Sequence, residues 1–426
     1  MSFLPTELIG FLAEWVRPTA GLPTIWWSLL LAAAAAVGHL VQRYMGMPKV
    51  VGYSLVGAIV GLAGFEGAMW PLQGIGLFLL ELGVAIVLFE AGGRLPLGWF
   101  RHNPMVLVQS ILEATLTYLG VFWTLHWLGV PDPVANPLAL MAIVASPAVL
   151  MRVVIDTRAS GPVTERALTL AALNTFYALL LGYAQAGLIE RAPQDLLQKI
   201  QPVAVVLGLS FVVGAIMALS LRSALRVMSP TSENTSILLL AIIAAGAAVA
   251  AYSGAAAPLA ALIGGVLLKL LNPRPWVWPR QLGTAASLIT MLMFVLVSIV
   301  AAQAEWSAPV AVLVLALIGV RAVTKIAGVA IANPGSGASW MQALWVGMAM
   351  SPLSSIALLI TSAFVTASPL LGHMITQIAL PAILLMEVLG AVLATIAIHG
   401  ARESSLPWRP EAFSGGSSNN PEDTQR

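Results

Sequence analysis

Residues 143–152 read IVASPAVLMR, and residues 347–356 read GMAMSPLSSI. Each places a Ser-Pro pair, Ser146-Pro147 and Ser351-Pro352, inside a long apolar run. Proline within a helix removes a backbone hydrogen bond and clashes with the preceding turn, so each pair marks a break. Two breaks made with the same dipeptide ask for a common cause.

Composition says what kind of helices are broken. The chain is 59% hydrophobic and 9% charged, where a soluble domain carries about 25% charged residues. Apolar stretches long enough to cross about 30 Å of hydrocarbon recur from end to end. The period-2 alternation of an outer-membrane barrel is absent. These features define an all-α polytopic membrane protein. With no cysteine, disulfides, thiolate metal sites and cysteine nucleophiles are excluded. The 5 histidines are scattered without metal-ligand spacing, so neither a metal nor another cofactor is expected. No nucleophile–base constellation suggests an enzyme. A net charge of +2 without a basic run gives no reason to expect nucleic acid.

The hydropathy pattern predicts spans at 25–42, 49–65, 74–93, 104–129, 136–155, 164–188, 202–226, 234–253, 255–272, 281–304, 307–333, 338–366 and 372–399. Residues 1–24 read as an extracytoplasmic interfacial segment with Trp15 as an anchor, and 401–426 as a disordered cytoplasmic tail. No signal peptide with a basic n-region and a cleavage site is expected at the N-terminus. With these spans, 15 of the Lys and Arg residues fall on one side, including Arg43, Arg94, Arg158 and Arg222. The other side has only Arg17, Arg191 and Lys199. Cytoplasmic loops concentrate Lys and Arg, so the N-terminus is expected outside and the C-terminus inside, in a bacterial inner membrane.

The two Ser-Pro pairs fall in the fifth and twelfth of these spans, which cross in opposite directions. Inverted repeats require that relation, and transporters built on them place a discontinuous helix from each repeat at the midplane, around a binding site. Two unrelated proline kinks are the competing reading.

Five segments, taken in order, resemble the monovalent cation/proton antiporter superfamily, the sodium/hydrogen exchanger domain. They are MPKVVGYSLVGAIVG (47–61), ELGVAIVLFEAGGRL (81–95), ASPAVLMRVV (145–154), GVRAVTK (319–325) and MSPLSSIALLI (350–360). The resemblance implies 13 helices with two crossed discontinuous ones, a scaffold (25–93 and 202–304) and a mobile core (104–188 and 307–399). It implies a homodimer, alternating access by movement of the core, and exchange of Na⁺ or K⁺ for protons. It also maps the helix breaks onto Ser146, Pro147, Ser351 and Pro352, and the family's basic residue onto Arg321, with Lys325 one turn further on. The family's sixth-helix carboxylate pair falls on Asn174 and Thr175, so a threonine stands where the family has aspartate.

That departure leaves Arg321 and Lys325 without the expected counter-charge, and a cavity of net positive charge unless another group compensates. Threonine and asparagine offer oxygen ligands but do not titrate near neutral pH. Glu113, inside the fourth span, reads as a displaced proton carrier or as the counter-ion of Arg321; satisfaction by Ser110 and Thr117, or snorkelling, is the alternative. Glu81 lies in the third span, where the resemblance implies a structural role or a place on the cation route. Glu90 and Arg94 read as a local i,i+4 pair. Ser354 and Ser355 are secondary candidates for hydroxyl ligands. Arg321 and Lys325 could cap half-helix carbonyls, bind substrate or titrate. An anion or organic-acid carrier on the same architecture, or a relative that no longer transports, remain alternative readings.

Overall fold

The computed structural model describes residues 22–65, 67–95, 97–189, 195–229, 232–272 and 280–406. Residues 1–21 and 407–426 lie outside this set, so neither Trp15 nor most of the polar tail is described. Every regular element among the described residues is helical. The first half runs α1 (Leu22–Leu40), α2 (Lys49–Leu62), α3 (Gly74–Arg94), the short α4 (Leu97–His102), α5 (Met105–Trp127), α6 (Asp132–Ile143), α7 (Pro147–Thr157) and α8 (Pro162–Ala186). The second runs α9 (Leu196–Val227), α10 (Glu233–Tyr252), α11 (Ala257–Leu271), α12 (Arg280–Ala302), α13 (Ala308–Ile331), α14 (Trp340–Ala349), α15 (Ser355–Ala367) and α16 (Pro369–Gly400). Among the described residues 9 spans are long and apolar enough to cross a membrane, with four shorter apolar helices besides. The chain is a multi-pass membrane protein.

Both Ser-Pro pairs interrupt a helix, but by different local means. Ser146 is the N-cap of α7, its Oγ accepting from the Val149 N–H at 3.5 Å. Pro147 then occupies the first helical position, where its missing N–H costs nothing. Ser351 and Pro352 instead lie in the extended linker 351–354, and α15 begins only at Ser355. The two breaks touch directly: the Ser146 N–H donates to the Pro352 carbonyl at 2.9 Å. The broken helices therefore cross at their interruptions.

Small residues bring the surrounding helices together. A Cβ on Gly390 of α16 would stand 2.5 Å from Pro352 Cα, so α16 lies directly against the second break. A Cβ on Gly328 of α13 would stand 2.5 Å from Glu113 Cα, so α13 and α5 are in backbone contact. Gly57 and Gly61 press α2 onto α12 at Val295 and Ile299 in the same way, as GxxxG pairs do in membranes.

At the arginine-rich face polar groups close the helix ends. Asp156 Oδ2 accepts the Lys49 N–H at 2.8 Å, satisfying the N-terminus of α2, and holds Arg152. The expectation of disorder after residue 400 fails for the first stretch of the tail. Glu403 accepts from the N–H groups of Val163 and Thr164 at 2.8 and 2.7 Å, capping α8. Ser404 and Ser405 bond to the carbonyls of Thr157 and Arg158. The orphan N–H groups of one helix and the last carbonyls of another supply the partners that order this short polar segment.

Candidate functional site

Breaking two helices at one level frees carbonyls at the C-terminal ends of α6 and α14, each end carrying partial negative charge. Arg321, buried on α13, takes up both. Its Nε donates to Ala142 O at 2.9 Å, and its Nη2 donates to Val144 O. Its guanidinium also donates to Ser351 O and, at 3.3 Å, to Pro352 O. The planar fork of a guanidinium suits this, since it can serve two chain segments at once. Ser351 thus contributes its carbonyl to the site.

Lys325, one turn along, serves only the first break. Its Nζ donates to Ile143 O at 2.9 Å and to Glu113 Oε1 at 2.7 Å. Both side chains are fully buried. Glu113 is therefore the counter-ion of Lys325, and the sequence-based pairing with Arg321 is corrected. Arg321 sits among carbonyls at the crossing, whereas Lys325 points toward α5, where Gly328 lets the two backbones close up. The compensating group that the missing aspartate calls for is thus a carboxylate on a different helix, which balances Lys325, while the charge of Arg321 is met by the carbonyls of the two breaks.

Asn174, at mid-length in α8, donates from Nδ2 to Glu113 Oε2 and accepts from Ser110 Oγ at 3.2 Å. It faces the carboxylate rather than the breaks. Thr117 donates to Glu113 Oε1 at 3.0 Å. Thr175 does face the first break, its Oγ1 donating to Ala145 O at 3.4 Å. The result is a buried, oxygen-rich cluster: one carboxylate, one amide, the hydroxyls of Thr117 and Thr175, and one ammonium.

A cavity of about 520 Å³ adjoins it. Ala114 and Ile143, immediate neighbours of the ion pair, form part of its wall, and Leu188 and Val203 lie toward the face opposite the arginine-rich one. A hydrogen bond from Tyr118 to Asn136 joins two residues of its lining. Glu81 stands apart from the cluster, lining a second cavity of about 340 Å³ with Tyr183, Ser362 and Thr366. Glu90 and Arg94 form an i,i+4 ion pair. Ser355 Oγ is buried without a partner. Among the described residues no group of three or more His, Asp and Glu could hold a metal ion.

Sequence reasoning passed over a second fully buried acid, Glu387 on α16, which accepts from Ser298 Oγ at 2.8 Å and Ser354 Oγ at 3.2 Å. A signal was available, since an ionisable residue in an apolar span is costly and seldom idle.

Two solved structures of the sodium proton antiporter MjNhaP1 from Methanocaldococcus jannaschii share this fold. One, at pH 8, superposes with a TM-score of 0.63 at 15% identity, covering 89% of this chain and 98% of the other. The other, an electron-microscopy structure, gives 0.64 at 16% identity, covering 90% and 96%. No curated protein matches the sequence. The family model described as sodium/hydrogen exchanger, transmembrane, matches residues 29–400, and the chain belongs to that family.

Proposed function

We propose that the protein is a secondary transporter, not an enzyme, exchanging a monovalent cation, Na⁺ or K⁺, for a proton at the Glu113–Lys325 pair. The observation that carries this reading is the buried carboxylate of Glu113, supplied by α5 and held by Asn174, in a chain where Thr175 of α8 stands at the position of the expected aspartate.

The chemistry follows from charge balance. An unpaired buried charge is costly, so the site keeps its net charge as ligands change. In the proton-loaded form Glu113 is a carboxylate and Lys325 an ammonium. A dehydrated cation entering against Glu113, with the hydroxyls of Thr117 and Thr175 as neutral ligands while Asn174 Nδ2 keeps its bond to the carboxylate, replaces the ammonium as counter-ion. Lys325 then gives up one proton to water and becomes a neutral amine, a change that buried lysine makes readily. One positive charge replaces another. Arg321 stays charged throughout, because the half-helix ends surround it. Ser146, Pro147, Ser351 and Pro352 shape the crossing rather than bind the ion.

In this reading α5–α8 and α13–α16 form a moving core within a homodimer, which exposes the site alternately to the two sides of the bilayer. The N-terminus is outside and the C-terminus is in the cytoplasm, in a bacterial inner membrane. An anion carrier is disfavoured by the saturation of Arg321 with carbonyls and of Lys325 with a carboxylate.

Proton flux in proteoliposomes tests this. An inward Na⁺ or K⁺ gradient should drive protons outward in the wild type and not in Glu113→Gln, while Thr175→Ala should raise the cation concentration needed. Unchanged flux in Glu113→Gln would overturn the proposal.

A further inference from the structure

Glu387 lies at a place where four helices meet. Its carboxylate, on α16, accepts from Ser298 Oγ on α12 and from Ser354 Oγ in the linker of the second break. Ser54 Oγ, from α2, faces the same carboxylate and has no other partner. Glu387, Ser54, Ser298 and Ser354 are all fully buried. Ser354 precedes α15 yet does not cap it, its hydroxyl being turned to Glu387. The arrangement thus brings three hydroxyls and the N-terminal end of α15 to one carboxylate.

Among the described residues no Lys, Arg or His forms an ion pair with Glu387. The charged groups on the elements packed around it are engaged elsewhere or distant. Arg321 and Lys325 of α13 are bound to the carbonyls of the breaks and to Glu113. Arg152 and Asp156 of α7 pair with each other, and Asp132 of α6 pairs with His126. Lys49 begins α2, and Arg280 begins α12 about 27 Å along the helix from Ser298. His373 and His399 lie toward the ends of α16 itself, and α14 and α15 carry no charged residue. Tyr53 of α2 packs against Gly38.

A lone buried carboxyl group is stable in two forms, as a neutral acid or as a carboxylate with a cation in contact. Serine hydroxyls serve both, since each can donate to a carboxylate or turn its lone pairs to a cation. We propose that Glu387, with Ser54, Ser298 and Ser354, is a second exchange site that takes either a proton or a monovalent cation. When the cation enters, the carboxyl O–H bond breaks, the proton leaves to water, and the cation balances the carboxylate, so the site is neutral in both states. It sits on the seam where α2 and α12 meet α15 and α16, and its occupant therefore bears on how those helices hold together. The inference is independent of Glu113, to which Glu387 makes no bond.

Infrared difference spectroscopy tests it in purified full-length protein, in the Glu113→Gln background so that the first site is silent. Exchanging choline for Na⁺ or K⁺ at constant pH should remove a protonated-carboxyl band in Glu113→Gln, with no such change in Glu113→Gln/Glu387→Gln. Ser298→Ala in the otherwise wild-type chain, where Glu113 stays a carboxylate in both states, keeps the carboxyl group. It should raise the half-saturating cation concentration about fivefold, the value of one hydrogen bond, and it decides the matter if the double Gln variant does not fold. A band that no cation affects, or one unchanged by Glu387→Gln or Ser298→Ala, would overturn the proposal. Loss of exchange in Glu113→Gln with this band intact would separate the two sites.

Discussion

Lys325 and Glu113, 212 residues apart in the chain, meet at 2.7 Å with both side chains fully buried. Such a pair is costly to break on one side only, because the remaining charge has no solvent. Glu113→Gln and Lys325→Met should each destabilise the protein by about 3–5 kcal/mol, and the double variant by much less than their sum. Melting temperatures of the four proteins in detergent, read as a double-mutant cycle, check this. Additive losses would mean that the two groups do not interact.

Arg321→Lys keeps the charge but loses the fork that reaches both breaks. Each carbonyl left buried and unpaired costs about 1–3 kcal/mol. The substitution should therefore lower the melting temperature sharply and reduce the monodisperse fraction on size exclusion, more than Lys325→Arg does.

Gly328→Ala tests the contact that sets Lys325 against Glu113. Its Cβ would lie 2.5 Å from Glu113 Cα, a backbone atom that cannot swing aside, so α13 and α5 must separate. Overpacking of this kind costs about 1–3 kcal/mol. The variant should lose stability and also bind the transported cation with altered affinity, whereas Gly319→Ala, which meets nothing within 4 Å, should do neither.

Glu403→Gln addresses the ordered part of the tail. The carboxylate satisfies two N–H groups and the Thr164 hydroxyl at the start of α8, and loss of such a cap costs about 1 kcal/mol. Hydrogen exchange at Val163 and Thr164 should accelerate, with little change near Asn174.

The fold was legible to the extent that it is local. A proline in an apolar run breaks a helix wherever the chain goes next, and both Ser-Pro pairs do sit at breaks. Arg321 could be foreseen at the crossing because half-helix ends need a cation. Where Lys325 would turn could not, because the rotation of α13 against α5 depends on the close approach at Gly328, a tertiary fact. The same holds for Asn174, whose partner is Glu113 on another helix. Glu387 was overlooked because its hydroxyl partners, Ser54, Ser298 and Ser354, are ordinary small residues scattered over three hundred positions. The tail from Arg402 to Leu406 is polar enough to read as disordered, and only the unsatisfied ends of α7 and α8 give it a place.

Proton release on cation binding tests the central claim most directly. Purified protein in weakly buffered detergent solution, titrated with Na⁺ or K⁺ against a choline control, should acidify the medium in proportion to cation bound. Charge neutrality of the buried pair predicts about one proton released per cation at Glu113–Lys325. Where the site is proton-loaded, apparent cation affinity should rise about tenfold per pH unit. Glu113→Gln should abolish that component of the release. Cation binding at Glu113 that releases no proton, or release unchanged in Glu113→Gln, would contradict the account.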